Sequence, residues 1–269
     1  MTQLHAWDES DTIHNRIARN DRVALVLDFD GTLVSIVDQP EEAVLDPSVR
    51  NLLDRITTVS HVEVAIVSGR ALQDITARID LASIAYAGNH GLEVSIHDQT
   101  WIHPAVARVR DQLVSVIGSI ETYLADIPGA IVEDKHATVS VHFRQTPTEY
   151  VPDVQDVVTS HVAAEPDLRL GTGKAVLQIR PDVQWDKGDA IRRLVGSSAE
   201  ETATVFIGDD VTDTDGFNAV ETLDGDGITI SVGNRDLPAE FYLINPAGVH
   251  RWLGWFASVV GAINTDVSV

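Results

Sequence analysis

The chain has 269 residues, none of them cysteine, with 44% hydrophobic and 22% charged residues. That length predicts one large domain or a core carrying an insertion, and the missing thiols exclude disulfides, thiol catalysis and cysteine-ligated metals. The net charge of −22, built from 28 Asp and 13 Glu against 16 Arg and 3 Lys, argues against nucleic acid or an anionic membrane surface as a partner.

No apolar run reaches the ~18 residues of a membrane span. Met1 to Arg19 has no apolar core and carries Asp8, Glu9 and Asp11, so no export signal is read there and a cytoplasmic enzyme is expected. Ser10 to Asn20 reads as a short helix feeding the stretch around which the chain is organised, Val23-Ala24-Leu25-Val26-Leu27-Asp28-Phe29-Asp30-Gly31-Thr32. Its apolar half predicts a strand buried on both faces, as in a parallel sheet, and the carboxyl ends of such strands are where ligands bind. Asp28 and Asp30 are two apart, so an extended chain sends both carboxylates to one side. Like charges so placed call for a hard cation such as Mg²⁺, and an ionised Asp beside it is equipped to attack phosphorus while its neighbour handles protons. A calcium loop is excluded, since its sixth and twelfth positions would hold Leu33 and Gln39 in place of Gly and Glu. A hairpin at Asp30-Gly31 lacks a matching strand over residues 33–46.

Asp46-Pro47 opens a helix with Val49, Leu52, Leu53 and Ile56 at helical spacing. The strand Val62 to Val67 then runs into Ser68-Gly69-Arg70, with a helix from Ala71. Free N–H groups at such a helix start bind phosphate oxygens, and an ordinary Ser-Gly cap is the alternative on local grounds. Following the first motif, Ser68 is assigned to the phosphate, with Arg70 in reach of the substrate. Ile84 to Ala87 reads as a third strand, ended by Gly88-Asn89-His90-Gly91, a bend that presents two polar side chains or serves only as a turn.

From Pro104 the pattern changes. Helices over Pro104–Ala125 and 151–163 are each followed by two strands, 130–135 with 138–144 and 168–170 with 175–180. Such a repeat predicts a small sheet with helices on one face. Alternation places Val139, Val141 and Phe143 on that face, with Ala175, Leu177 and Ile179. The other face presents Glu133, Lys135, His142, Arg144 and Gln178, either solvated or facing a substrate, and the density of hydrogen-bonding groups favours the substrate.

The first pattern then returns. Lys187, one of only three lysines, stands just before a helix carrying Ile191, Leu194 and Val195. It is placed to neutralise charge on a nucleophile and a phosphate. Ala203 to Ile207 predicts a buried strand ending in Gly208-Asp209-Asp210-Val211-Thr212-Asp213, a second set of carboxylates for the cation. Ile228 to Val232 is a further core strand, and Val249 to Val260 a closing helix packed through Trp252, Trp255 and Phe256.

DFDGT, SGR, the Lys of DKG and GDDVTD, in this order, resemble the haloacid dehalogenase phosphatases. DFDGTLVSI, IVSGR, GNHGLE, VEDKHATVSVHFR, the IRP of VLQIRP followed by DVQWDKGDA, and GDDVTDTDGF together resemble the trehalose-6-phosphate phosphatase family within them. The resemblance implies an α/β fold: a Rossmann-like core with a parallel sheet over residues 1–104 and 181–269, and an inserted α/β cap over 105–180 that selects the substrate. It implies Asp28 as nucleophile and Mg²⁺ ligand, Asp30 as general acid and base with its carbonyl on the metal, and Ser68 and Lys187 on the phosphate. Asp209 completes the metal site, with Asp210 or Asp213 supporting it. Arg70, Asn89, His90, Glu133, Lys135, His142 and Arg144 match positions around the disaccharide. Two positions depart from the family: Thr214 replaces an acidic residue, and Gln178 replaces a Glu that binds sugar hydroxyls, keeping hydrogen bonds but no charge. The implied reaction is hydrolysis of trehalose 6-phosphate. The rivals are a phosphatase of mannosyl-3-phosphoglycerate or sucrose phosphate, and a non-catalytic sugar-phosphate sensor. The Asp excess and scarcity of Lys resemble surfaces of proteins from salt-loving archaea and predict a high-salt cytosol, where at ~1 M salt the Debye length of about 3 Å screens repulsion of an anionic substrate.

Overall fold

The structure is a computed structural model that describes residues 3–37, 39–97, 99–173, 175–196 and 201–266. The chain divides into one unit of Met1–Thr100 with Trp185–Val269 and a second of Trp101–Gln184.

The larger sheet, which lies in the first unit except for the last two residues of β6, has the strands β1 (Leu4–His5), β2 (Arg22–Leu27), β3 (Val62–Val67), β4 (Ala85–Gly88), β5 (Glu93–Ile96), β6 (Gln99–Ile102), β11 (Thr202–Gly208), β12 (Gly227–Val232) and β13 (Phe241–Leu243). Their spatial order is β1-β13-β12-β11-β2-β3-β4-β5-β6, parallel from β1 through β4, with β5 antiparallel to β4. β2 lies between β11 and β3, and the register sets Leu27 beside Ile207 and Ile66. The carboxyl ends of β2, β3 and β11 are therefore neighbours, which brings together motifs separated by up to 180 residues.

Helices cover both faces. α1 (Ser10–Ala18), α2 (Pro47–Thr57), α3 (Leu72–Ile79) and α8 (Pro246–Asp266) share one apolar cluster with alternate strand residues such as Leu25, Leu27, Val205 and Ile207. Trp252 and Phe256 of α8 are fully buried in it. Intervening residues point the other way: Phe206 meets Phe217 of α7 (Thr214–Glu221) at 5.1 Å between ring centres. Each fully buried Leu, Ile or Phe contributes about 1.5–3 kcal/mol. α2 starts where the sequence places it, Asp46 accepting a hydrogen bond from Ser48 N at 2.8 Å ahead of Pro47.

The second unit holds α4 (Pro104–Leu124), β7 (Ile131–Asp134), β8 (Val139–His142), α5 (Val151–Ala163), β9 (Leu168–Gly173) and β10 (Val176–Pro181). Its antiparallel sheet runs β7-β8-β10-β9. Val109, Leu113, Val116 and Ile120 of α4 and Val154, Val158 and Val162 of α5 pack on Val139, Val141, Leu177 and Ile179. β10 begins one residue later than the alternation suggests, because Ala175 has φ +60° and lies outside the strand.

Candidate active site

β2 ends at Leu27, and one more backbone bond, Asp28 N to Ile207 O at 2.9 Å, fixes Asp28 beyond it. A turn follows at once, with the Phe29 carbonyl accepting from Leu33 and Val34 N at 2.9 and 3.1 Å. Strand alternation therefore stops governing the chain before Asp30, and the two carboxylates take different partners.

Asp28 is buried and accepts from Lys187 Nζ at 2.8 Å, and the same Nζ donates to Asp213 at 2.6 Å. Lys187 is the first residue of α6 (Lys187–Val195), one position inside the helix rather than before it. The helix starts with a capping box: Asp186 accepts from Asp189 N at 3.1 Å while Asp189 accepts from Asp186 N at 3.3 Å. Burial opposes the ammonium charge, but Asp213 and Asp28 outweigh it and hold Lys187 protonated. Asp213, fully buried, also accepts from the backbone N of Asp209 and of Asp210, each at 3.0 Å.

Asp28, Asp209 and Asp213 each bring one carboxylate oxygen within 4.8 Å of the others. Burial, first of all, pushes Asp28 well above the usual carboxylate range, although Lys187 pulls it down. Burial and then Asp213 push Asp209 up to about 7. Three carboxylates around one ammonium leave negative charge in excess, and a divalent cation would relieve it; an all-oxygen donor set suits a hard ion. Gly31 opens the approach: with φ +86°, a Cβ there would lie 2.0 Å from Asp209 Oδ2. Asp210 does not join this cluster. It is exposed, and its carboxylate caps the following turn through Val211 N at 2.6 Å. Asp213 is thus the nearer of the two supporting candidates.

Asp30 is held by Arg70 through two parallel bonds, Nε to Oδ2 and Nη2 to Oδ1, both 2.7 Å. Ser68 is buried, its Oγ accepting from Arg70 N at 3.1 Å. The bend after β4 interlocks with this turn, since Asn89 N donates to Arg70 O at 2.7 Å and His90 N to Ser68 O at 2.9 Å. Asn89, His90 and Gly91 have φ of +50°, +57° and +91°, a left-handed run that costs non-glycine residues about 1–2 kcal/mol each. Asn89 is not presented outward. It is buried and donates to Glu93 at 2.6 Å. The His90 ring lies over Gly69, where a Cβ would meet it at 2.7 Å.

In the second unit, Glu133, Ser140, Gln178 and Gly171 are consecutive cross-strand partners, so Glu133 and Gln178 share the face opposite the helices. His142 Nε2 lies 2.8 Å from Glu133 Oε2 and Lys135 Nζ 3.6 Å from the same oxygen. Arg144 lies beyond the end of β8 and is exposed.

Residues 26–240 match the family model for trehalose-phosphatase. The chain belongs to the trehalose-phosphatase family. It is 35% identical over 253 residues to a trehalose-phosphate phosphatase of Mycobacterium marinum, covering 90% of this chain and 63% of the relative. It is 32% identical over 251 residues to trehalose-phosphate phosphatase B of Arabidopsis thaliana, covering 88% and 66%. The chain thus spans just under two thirds of the length of these curated relatives. The C-terminal domain of Candida albicans trehalose-6-phosphate phosphatase has a similar fold, with TM-score 0.79, 22% identity and coverage of 96% and 98% of the two chains. A haloacid dehalogenase-like hydrolase from Bacteroides thetaiotaomicron matches with TM-score 0.61, 14% identity and coverage of 87% and 99%. The fold of this trehalose-phosphatase family member is that of the haloacid dehalogenase hydrolases. Gly31 and Glu93 lie inside motifs legible in the sequence, but their work shows only in three dimensions.

Proposed function

We propose that this chain is a Mg²⁺-dependent phosphatase that hydrolyses trehalose 6-phosphate to trehalose and inorganic phosphate. The observation that carries the reading is the buried Asp28–Lys187–Asp213 arrangement with Asp209 beside it, in a member of the trehalose-phosphatase family. Asp28, Asp209 and the backbone carbonyl of Asp30 would hold the cation, with Asp213 behind them; when bound, it neutralises phosphate charge and keeps Asp28 ionised. An Asp28 oxygen attacks phosphorus, the bond from phosphorus to the sugar 6-oxygen breaks, and Asp30 gives that oxygen its proton. Asp30 then takes a proton from water as the water oxygen attacks the aspartyl-phosphate, and Asp28 leaves as carboxylate. Ser68 and Lys187 hold the phosphate oxygens throughout.

The second unit is assigned the recognition of the sugar, through Glu133, Lys135, His142, Arg144 and Gln178. Phosphate release from trehalose 6-phosphate, with Mg²⁺ and with chelator, tests the reading. Absence of release overturns it, as does faster release from sucrose phosphate or mannosyl-3-phosphoglycerate. Asp28 and Asp30 are both intact, which supports an enzyme over a sensor.

Gln178→Ala is expected to lower kcat/KM for trehalose 6-phosphate by about 5- to 150-fold, the value of about 1–3 kcal/mol for one hydrogen-bonding partner. A small aryl phosphate, which has no sugar to contact, should lose much less. Equal loss on both substrates would assign Gln178 to the fold, and no loss on either would remove it from the site.

The composition supports a salt-rich cytoplasm as the working environment. Among the described residues, no helix is long and apolar enough to cross a membrane. Self-repulsion of a chain at −22 weakens as salt screens it, so the thermal midpoint should rise between about 0.1 M and about 2 M KCl. A flat or falling midpoint would count against the saline reading.

A further inference from the structure

Arg70 has little left to offer a sugar. Of its five N–H groups, Nε and one on Nη2 go to Asp30, one on Nη1 goes to Asp74 at 2.9 Å, and another on Nη2 goes to the Pro40 carbonyl at 3.0 Å. The guanidinium lies 5.4 Å from the centre of the Phe29 ring, and its side chain is 10% exposed. Asp74 is itself gripped by Arg78, whose Nε lies 2.9 Å from both carboxylate oxygens. Arg78 Nη1 reaches the Ala43 carbonyl at 2.8 Å. Asp74 and Arg78 are four residues apart on one face of α3, and Arg70 lies four before Asp74, just ahead of the helix. The three side chains form a ladder, Arg70–Asp74–Arg78, that binds residues 40–43 of the connection after the first motif and ends on Asp30.

We propose that Arg70 is a positioning residue that fixes the orientation of the Asp30 carboxylate, with Asp74 and Arg78 fixing Arg70 in turn. This rests on Asp30 acting as the proton donor to the leaving oxygen. A planar guanidinium held by four acceptors is a rigid fork, and a carboxylate docked on both tines has one orientation. Asp30 lies within the Phe29–Val34 turn rather than in a strand, and its side chain is 38% exposed, so the backbone alone does not hold it. The ladder supplies that restraint and leaves the outer edge of the carboxylate to the substrate.

Aryl phosphates with leaving groups of graded acidity test this without any sugar contact. Proton donation matters most for the least acidic leaving group. Asp30→Asn should therefore steepen the dependence of kcat/KM on leaving-group acidity, and Arg70→Gln should steepen it in the same sense. For Arg70→Gln the loss should be about 10- to 100-fold on the poorest leaving group and under about 3-fold on the best, as for a misplaced catalytic group. Adding Arg70→Gln to Asp30→Asn should cost little more, because the two act through one group. Arg70→Lys keeps the charge but loses the fork and should behave like Gln. Asp74→Asn, which leaves Arg70 in place, should show the same tilt at smaller size and covers the case in which Arg70→Gln does not fold. Equal loss across the series, full additivity with Asp30→Asn, or a wild-type slope for both Arg70→Lys and Asp74→Asn would overturn the proposal. If Asp30→Asn itself leaves the slope unchanged, the role of Asp30 as donor falls first.

Discussion

Asp28→Asn is expected to abolish turnover, by roughly 10³-fold or more, while leaving the fold intact, because an amide is a poor nucleophile toward phosphorus. The structure adds a second, opposite expectation. Asp28 is buried, and burial pushes its carboxyl well above the ordinary range, so its charge is a burden in the cation-free protein. Removing that charge leaves Lys187 paired with Asp213 at 2.6 Å, still buried and still neutralised. Thermal unfolding without Mg²⁺ should therefore occur at the wild-type temperature or above it, while the variant with Mg²⁺ should gain less than wild type does. A purified Asn variant, checked for deamidation, that keeps near-wild-type turnover would sink the nucleophile assignment. A variant that melts well below wild type would show that the Asp28–Lys187 contact stabilises the fold instead of straining it.

The path from residues to site was legible where one local pattern carries both structure and chemistry. A buried apolar strand with carboxylates at its end locates Asp28 and Asp209 without any tertiary information, since parallel strands place their ends together. Lys187 stands out because lysine is so rare in this chain. What stayed hidden depends on where distant segments meet. The partner of Arg70 is decided by the turn from Phe29 to Val34, which breaks the strand geometry that a period of two assumes for Asp30. Asn89 looks like an outward polar group until Glu93, four residues on, is seen to receive its amide at 2.6 Å. The need for glycine at position 31 becomes visible only with Asp209 packed against it. Among elements, β1 and β13 have two and three residues, and β5 and β6 four each. Such lengths are too short for periodicity to register, and tertiary pairing makes them strands.

Lys187→Ala is expected to be the most damaging single change to the structure. Asp28 and Asp213 are 4% and 0% exposed, and both face the ammonium at 2.8 and 2.6 Å. Truncating the lysine leaves two buried carboxylates opposed to each other and to Asp209, with no cation from the chain. Breaking a buried pair by removing one partner typically costs about 3–5 kcal/mol. At about 2–4 °C per kcal/mol for a chain of this size, the midpoint should fall by roughly 6–20 °C. Turnover should fall as well, since the ammonium no longer neutralises the phosphate during attack. The two losses separate in a double variant. Lys187→Met with Asp213→Asn removes one charge of each sign and keeps the volume filled, so stability should recover in part, Asp28 still lacking its partner, while turnover does not. Apolar replacement of buried ion pairs is often neutral or stabilising, which makes this recovery a demanding test. A single Ala variant that melts with wild type would mean that water or a neighbouring group already compensates these carboxylates. A double variant that regains turnover would remove Lys187 from the chemistry and leave it a purely structural charge.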